Sequence, residues 1–366
     1  MSDLSNISVV LPSLDPDEKL TAVIDGLLEY GFSDIVLVND GSKPENLHYF
    51  EDAVRLHPEV HLLTHEHNRG KGAALKTAFT YVLANRPDSL GVVTVDGDNQ
   101  HHPADTRACT EAMLASNHVV LGCRDFTLPD VPSRSRFGNH TTSLVFKIFC
   151  GMTISDTQTG LRAIPRKYLP LLAEVYGDRF EYETNMLLAF KNFGLPFDEV
   201  KIRTVYIEEN KSSHFRVIAD SWRIYKLILA HFFRYTASSL VSFLADSGMV
   251  YLLSKCLGGI LADPALSAVA TVGARVVSSL LNFFMNKKLV FQAKVGTGKA
   301  MLRYYALAIP QLLVQWLLNQ GIYSLFGVAE SQAGLRTLIH ILVMTVLFIV
   351  SFTIQQRWVF APQKSE

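Results

Sequence analysis

Charge is scarce in this chain. Asp, Glu, Lys and Arg make up 19% of its 366 residues, and the two signs cancel to a formal net charge of zero. A general nucleic-acid partner therefore has no electrostatic support. Cysteine is scarcer: the four residues Cys109, Cys123, Cys150 and Cys256 lie far apart with no Cys-x-x-Cys pair. That pattern argues against a zinc site and a disulfide framework and fits a reducing compartment. The opening "MSDLSNISVVLPSL" lacks the basic start and apolar stretch of a secretory signal, so the first region is expected in the cytosol. A Walker phosphate loop is also missing, because neither Lys71 in "NRGKGAAL" nor Lys299 in "GTGKA" is followed by Ser or Thr in the required frame.

Hydrophobic residues are abundant instead, 49% of the chain, with a positive mean hydropathy, and their distribution changes near Arg234. Before it, short apolar runs such as "ISVVLPSL", "DIVLVND", "LGVVTVDGD" and "HVVLGCRD" alternate with helical patterns at Asp17 to Tyr30 and Gly72 to Ala84. This is the strand–helix alternation of a mostly parallel sheet. Beyond it come four apolar stretches, Thr236 to Leu257, Ala265 to Met285, Tyr304 to Phe326 and Thr337 to Gln355. Each is close to the ~20 residues a helix needs to cross a bilayer.

Loop charge gives those stretches an orientation. The segment between the second and third holds Lys287, Lys288, Lys294, Lys299 and Arg303 with no acid, whereas the flanking loops carry almost no basic excess. The positive-inside rule then places the middle loop and both termini in the cytosol. "LNFFMNKKLVF", ending at Phe291, parallels "VSFTIQQRWVF", ending at Phe360, as in a duplicated two-helix unit. Asp246 and Arg275, costly in lipid when unpaired, are natural partners. Between the regions, Arg216, Arg223, Lys226 and Arg234 alternate with Trp222, Phe232 and Phe233, the pattern of an amphipathic helix lying in the membrane interface. The expected organisation is an α/β domain over residues 1–215, an interfacial helix over 216–235 and a four-helix transmembrane domain over 236–360.

Chemistry concentrates in "VTVDGDNQHHP". If "GVVTVD" is a central strand, Asp96 and Asp98 stand at its carboxyl end, where open α/β sheets bind ligands. Alternation lets Asp96, Asp98 and Gln100 converge on one cation, and hard oxygen ligands suit Mg²⁺ or Mn²⁺ shared with a substrate diphosphate. "LVNDGS" puts Asn39, Asp40, Gly41 and Ser42 at another strand end, suited to a base or ribose. "HNRGKGAAL" sets glycines around Lys71 before a helix, where cation, flexible backbone and helix N-terminus can meet phosphate.

As a set, "VVLPSLDPDEKL", "LVNDGS", "NRGKGAAL", "VDGDNQHHP", "LGCRDF" with "SRSRFGN", and "DTQTGLRAI" resemble the family 2 glycosyltransferases of the GT-A fold. Among these they resemble the dolichol- and polyprenyl-phosphate sugar transferases, and the membrane part is similar to the GtrA-like four-helix family. The resemblance implies that Asp96 and Asp98 are the metal-binding DxD pair with Gln100 as a further ligand, and that Asp98 is catalytic. It implies a nucleotide-sugar pocket of Pro12, Leu14, Asp15, Asp40, Lys71, Asp96 and Gly97. Arg124, Arg134 and Arg136 would face the acceptor phosphate, Arg124 and Arg136 catalytically, with Arg162 a further candidate. Each arginine alone reads equally as surface charge or a structural pair.

The implied activity is inverting, metal-assisted transfer of a monosaccharide from a UDP- or GDP-sugar to undecaprenyl or dolichyl phosphate. The implied setting is the cytosolic face of the plasma membrane, with a homo-oligomer left open. There are departures from the family pattern. Asn39 replaces the first of two acids, Asp15-Pro16 replaces Asn-Glu, and "NKSSHF" places His214 where a lysine is usual. Two other readings compete. A processive polysaccharide synthase would need a Gln-x-x-Arg-Trp motif, but "IQQRW" has Ile354 at its first position. A lipid-linked sugar translocator with a docking domain would not need the intact acidic pair.

Overall fold

A computed structural model describes residues 3–129, 131–203, 217–293 and 295–361; within helices, the side chains of 134, 217–225, 227, 228 and 231 lie outside that description. Two units form, Met1–Tyr225 and Lys226–Glu366.

In the first unit the apolar runs become strands β1 (Ile7–Ser13), β2 (Ile35–Asn39), β3 (Val60–Thr64), β4 (Gly91–Thr94), β5 (Val119–Arg124), β6 (Arg162–Pro165) and β7 (Phe197–Ile202). Between them lie helices α1 (Lys19–Glu29), α2 (Leu47–Leu56), α3 (Lys71–Asn85), α4 (Pro103–Ser116), α5 (Ser133–Val145), α6 (Leu169–Ala173) and α7 (Glu181–Phe193). All five residues of β2 and all four of β4 are buried. Helices cover both faces of a central parallel strand, so such a strand reads as a continuous apolar run instead of an alternation.

The strands form one sheet in the order β3-β2-β1-β4-β6-β5-β7. Among the described residues only β6 runs antiparallel to its neighbours, β4 and β5. The chain builds outward from β1 through β2 to β3, then restarts on the other side of β1 with β4. This reversal opens a crevice beyond the carboxyl ends of β1 and β4, the place where open α/β sheets take ligands.

The second unit holds most of α8 (Val217–Leu257), and α9 (Ala265–Met285), α10 (Thr297–Leu325) and α11 (Ala333–Ile354). These helices fall where four spans are expected, but among the described residues three segments, Phe232–Leu257, Ala265–Val290 and Ala333–Val359, are long and apolar enough to cross a membrane. Helix α10 is set apart by its amides Gln311, Gln315, Asn319 and Gln320. The expected division between an interfacial helix and the first span falls inside a single helix of 41 residues. No proline or glycine precedes Gly248 in it, so nothing interrupts the hydrogen-bond ladder. Of the basic residues expected along its start, Arg216 and the side chain of Arg223 lie outside the described residues.

The repeat read at the ends of α9 and α11 has a geometric counterpart. Positions 69 residues apart (283 and 352, 286 and 355, 291 and 360) meet around a quasi-twofold axis. Phe291 stacks on Phe360 with ring centres 5.1 Å apart, and the crossed contacts Phe283–Phe360 and Phe291–Phe352 measure 5.9 and 5.7 Å. Asn286 Nδ2 donates to Gln355 Oε1 at 3.1 Å. Each half ends in a π-helical turn, Asn286–Val290 and Gln355–Val359. The relation extends to the preceding helices: Tyr304 packs on Phe283 as Tyr235 packs on Phe352, at 5.5 and 5.2 Å. The two charges within the spans do pair, Arg275 Nη2 lying 3.4 Å from Asp246 Oδ2 while Ser278 Oγ donates to Asp246 Oδ1 at 2.7 Å.

Candidate active site

A cavity of about 410 Å³ occupies the crevice, lined by the stretch Pro12 to Asp17, Asp40, Asn68, Gly70, Lys71, Asp96, Gly97, Asp98, Arg179 and Phe180, among others. The sheet builds it: Pro12 and Ser13 end β1, Asp40 follows β2, Asp96 to Asp98 follow β4, and Lys71 opens α3. Every nucleotide-pocket residue expected from the sequence, Pro12, Leu14, Asp15, Asp40, Lys71, Asp96 and Gly97, lies on this wall.

Asp96 is flanked by a basic side chain on each oxygen. Its Oδ1 meets Lys71 Nζ at 2.7 Å and its Oδ2 faces His101 Nε2 at 3.6 Å. Burial alone would raise its carboxyl pKa, but the Lys71 ammonium and His101 hold it well below the ordinary carboxylate range. Asp98 moves the other way, raised first by burial and then by the like charge of Asp96. Gln100 donates its backbone N–H to Asp98 Oδ1 at 3.1 Å. Two carboxylates that repel each other in one cavity are a hard-oxygen donor set that a divalent cation would relieve, so the residues fit such an ion. No group of three His, Cys, Asp or Glu side chains is placed to hold a metal among the described residues, so further ligands would come from the substrate or other donors.

Lys71 Nζ also reaches Glu183 Oε1, at 3.1 Å. Burial opposes its charge, but Asp96 and Glu183 together keep the ammonium above the usual lysine range. Glu183 lies at the start of α7 two residues after Glu181, and what singles it out is this contact with a lysine distant in sequence.

Asp40 and Asp15 line the cavity yet commit their carboxylates to neighbouring loops. Asp40 is 4% exposed; its Oδ1 accepts from Arg69 N–H at 3.0 Å and pairs with His65 Nδ1 at 2.7 Å, while its Oδ2 accepts from Gly70 N–H at 2.7 Å. It therefore fixes the loop that delivers Lys71. Gly41 makes that packing possible, since it sits at φ +73° and a Cβ there would lie 2.3 Å from the backbone of His67. Asp15 Oδ1 accepts from Lys43 N–H and Asn46 Nδ2, at 2.8 and 3.2 Å.

The arginines separate. Arg124 grips Asp156 through Nε at 2.7 Å and Nη2 at 3.1 Å. Arg136 donates from Nη2 to Leu128 O at 2.8 Å at an exposed position. The side chain of Arg134 lies outside the described residues. Arg162, expected with them, is 1% exposed and donates to Thr159 O and Glu183 O at 3.1 and 3.0 Å. A guanidinium so enclosed holds the backbone of Glu183 and offers almost no exposed surface. Asp156 and Gly160, both in "DTQTGLRAI", and Arg179 and Phe180 carry no local pattern that marks them in the sequence.

The family model for glycosyl transferase family 2 matches residues 8–180, and that for the GtrA/DPMS transmembrane domain matches residues 260–360. A UDP-N-acetylglucosamine–dolichyl-phosphate N-acetylglucosaminyltransferase of Methanococcus voltae is 25% identical over 240 residues, 61% of this chain and 95% of its own length. A dolichyl-phosphate beta-glucosyltransferase of Drosophila melanogaster is 24% identical over 254 residues, 60% of this chain and 77% of its own. Among solved structures, glucosyl-3-phosphoglycerate synthase from Mycobacterium tuberculosis aligns with a TM-score of 0.47 at 17% identity, over 61% of this chain and 78% of that one. The chain is thus a membrane glycosyltransferase, a family 2 glycosyl transferase domain followed by a GtrA/DPMS transmembrane domain.

Proposed function

We propose that the protein transfers a monosaccharide from a UDP- or GDP-sugar to a polyprenyl phosphate with inversion at the anomeric carbon, at the cytosolic membrane face. The observation that carries this reading is the convergence of Asp96, Asp98 and Lys71 in one cavity at the reversal of the sheet, a site shaped for a metal-bound diphosphate. The names of the relatives support the acceptor. In this reading Pro12, Leu14, Asp15, Asp40, Lys71, Asp96 and Gly97 surround the donor, and Asp96 and Asp98, with Gln100, would hold Mg²⁺ or Mn²⁺. Such an ion supplies charge stabilisation for the departing diphosphate.

The chain's own residues do the rest. A lipid phosphate, whose second pKa is about 6, is already an anion near neutral pH. It attacks the anomeric carbon without a general base while the bond to the diphosphate breaks. Lys71 neutralises charge gathering on the leaving group. Arg124, Arg134 and Arg136 hold the attacking phosphate, with Arg124 set in one orientation by Asp156.

Membranes containing the protein, supplied with polyprenyl phosphate, Mn²⁺ or Mg²⁺ and radiolabelled UDP- and GDP-sugars, should move label into an organic-extractable lipid. Asp98→Ala should reduce that transfer by at least about a hundredfold. Label entering polymer, or no transfer from any donor with the variant indistinguishable from wild type, overturns the reading.

A further inference from the structure

Lys71 is held in a way that leaving-group stabilisation alone does not require. Its ammonium is shared between Asp96 Oδ1 at 2.7 Å and Glu183 Oε1 at 3.1 Å, one carboxylate from the acidic pair and one from α7. Glu183 is itself fixed: buried Arg162 donates to its carbonyl at 3.0 Å and brings Nη2 to 4.0 Å from Oε1. Asp96 has little freedom on its other side, where His101 faces Oδ2 and the backbone of Gly160 lies close behind. An oxygen that a divalent cation would ligate is thus already neutralised by a side-chain cation.

We propose that Lys71 is the site's resident cation: without nucleotide it occupies Asp96 in place of a divalent metal, and it transfers to the donor's diphosphate when nucleotide enters. Glu183 is the positioning residue that retains the ammonium in the cavity through this exchange. The inference rests on the metal-assisted reading above and adds an order to it. Metal alone binds weakly, because it must displace an ion pair. A nucleotide diphosphate draws Lys71 away and frees Asp96, so metal and nucleotide each strengthen the other's binding by the same factor.

Full-length protein in detergent is titrated with MnCl₂ while free Mn²⁺ is followed by electron paramagnetic resonance, alone and with UDP or GDP. Wild type is expected to bind Mn²⁺ weakly alone and far more tightly with one of the nucleotides. Lys71→Met should bind Mn²⁺ alone at least about tenfold more tightly than wild type, since removing one adjacent charge shifts such equilibria by an order of magnitude or more. Added nucleotide should then enhance its binding less than it does in wild type. Glu183→Gln should move the other way, because Lys71 then rests on Asp96 alone and the site loses a negative charge. Misfolding gives only losses, so opposite shifts in the two variants identify the exchange. Lys71→Met binding Mn²⁺ no more tightly than wild type, or no variant binding Mn²⁺ under any condition, overturns the proposal. These shifts do not involve the acceptor, so a failed sugar-transfer assay alongside them would remove the transfer reading and leave the exchange standing.

Discussion

Arg124 closes on Asp156 through two points of its guanidinium, Nε to Oδ2 at 2.7 Å and Nη2 to Oδ1 at 3.1 Å. The two ends are not equivalent. Asp156 is 0% exposed, whereas the Arg124 side chain keeps 23% of its surface. Removing the arginine side chain leaves a buried carboxylate with its charge unpaired and only two backbone N–H donors, Gln158 at 3.1 Å and residue 124 at 3.3 Å; removing the acid leaves a guanidinium that is already partly exposed. Arg124→Met should therefore destabilise the protein by about 3–5 kcal/mol, and Asp156→Asn by less. Denaturant unfolding followed by a reporter in the first unit tests the order, and equal losses would show the pair to be symmetric.

Orientation in the membrane can be read from cysteine chemistry. Burial first, then Asp105, pushes the Cys109 thiol up to about 12, and burial does the same to Cys150. Burial also raises Cys123. A raised thiol pKa means less thiolate, so at pH 8 these three are both shielded and protonated. Cys256 is exposed and lies one residue from the end of α8. If the basic loop between α9 and α10 is cytosolic, that end faces outward. An impermeant maleimide on intact cells should label wild type once and Cys256→Ser not at all. Labelling that appears only after permeabilisation would reverse the topology.

The quasi-twofold core of the membrane unit makes its own prediction. Asn286 and Gln355 join across the axis at 3.1 Å, and Gln355 Nε2 also donates to Tyr235 OH at 3.0 Å. Replacing either amide by leucine strands buried partners. Replacing both removes the pair together. A double-mutant cycle on Asn286→Leu and Gln355→Leu, measured by unfolding in detergent, should give a favourable coupling of about 0.6–2 kcal/mol. Additive losses would mean the two amides act independently.

These pairings mark the boundary of what the sequence could convey. Strand ends were legible because period, apolar runs and turn residues are local signals, and they located Asp96 and Asp98. The partners that tune those groups were not. Glu183 reaches Lys71 only because α7 folds back over the amino end of α3. Asp156 and Arg124 stand 32 residues apart. Asp40 shows the limit from the other side: at the end of β2 a carboxylate can face a ligand or the next loop with the same local pattern, and this one accepts from Arg69 and Gly70, 29 and 30 residues on. Helix α8 carries no break to separate an interfacial segment from a span, and the division there rests on where basic residues give way to a predominantly apolar run.

Gly160 offers the most selective test of the acidic pair. A Cβ at this position would lie 2.2 Å from Asp96 Oδ2 and 2.8 Å from its Cγ, closer than real side-chain carbons approach. Asp96 cannot yield freely, since its backbone follows β4 and its other oxygen is held by Lys71. The carboxylate must rotate out of its place, while the glycine backbone itself accepts an alanine without leaving the common φ range. Gly160→Ala should therefore lower Mn²⁺ affinity in the presence of nucleotide by about tenfold or more and reduce kcat/KM for sugar transfer in step. Its stability cost should stay within about 1–3 kcal/mol, the usual penalty of overpacking. Gly138→Ala, where nothing lies within 4 Å of the added carbon, is the matched control and should change neither. If Gly160→Ala folds and keeps wild-type Mn²⁺ affinity, Asp96 is not a metal ligand, and the metal would have to rest on Asp98 and the donor's own oxygens.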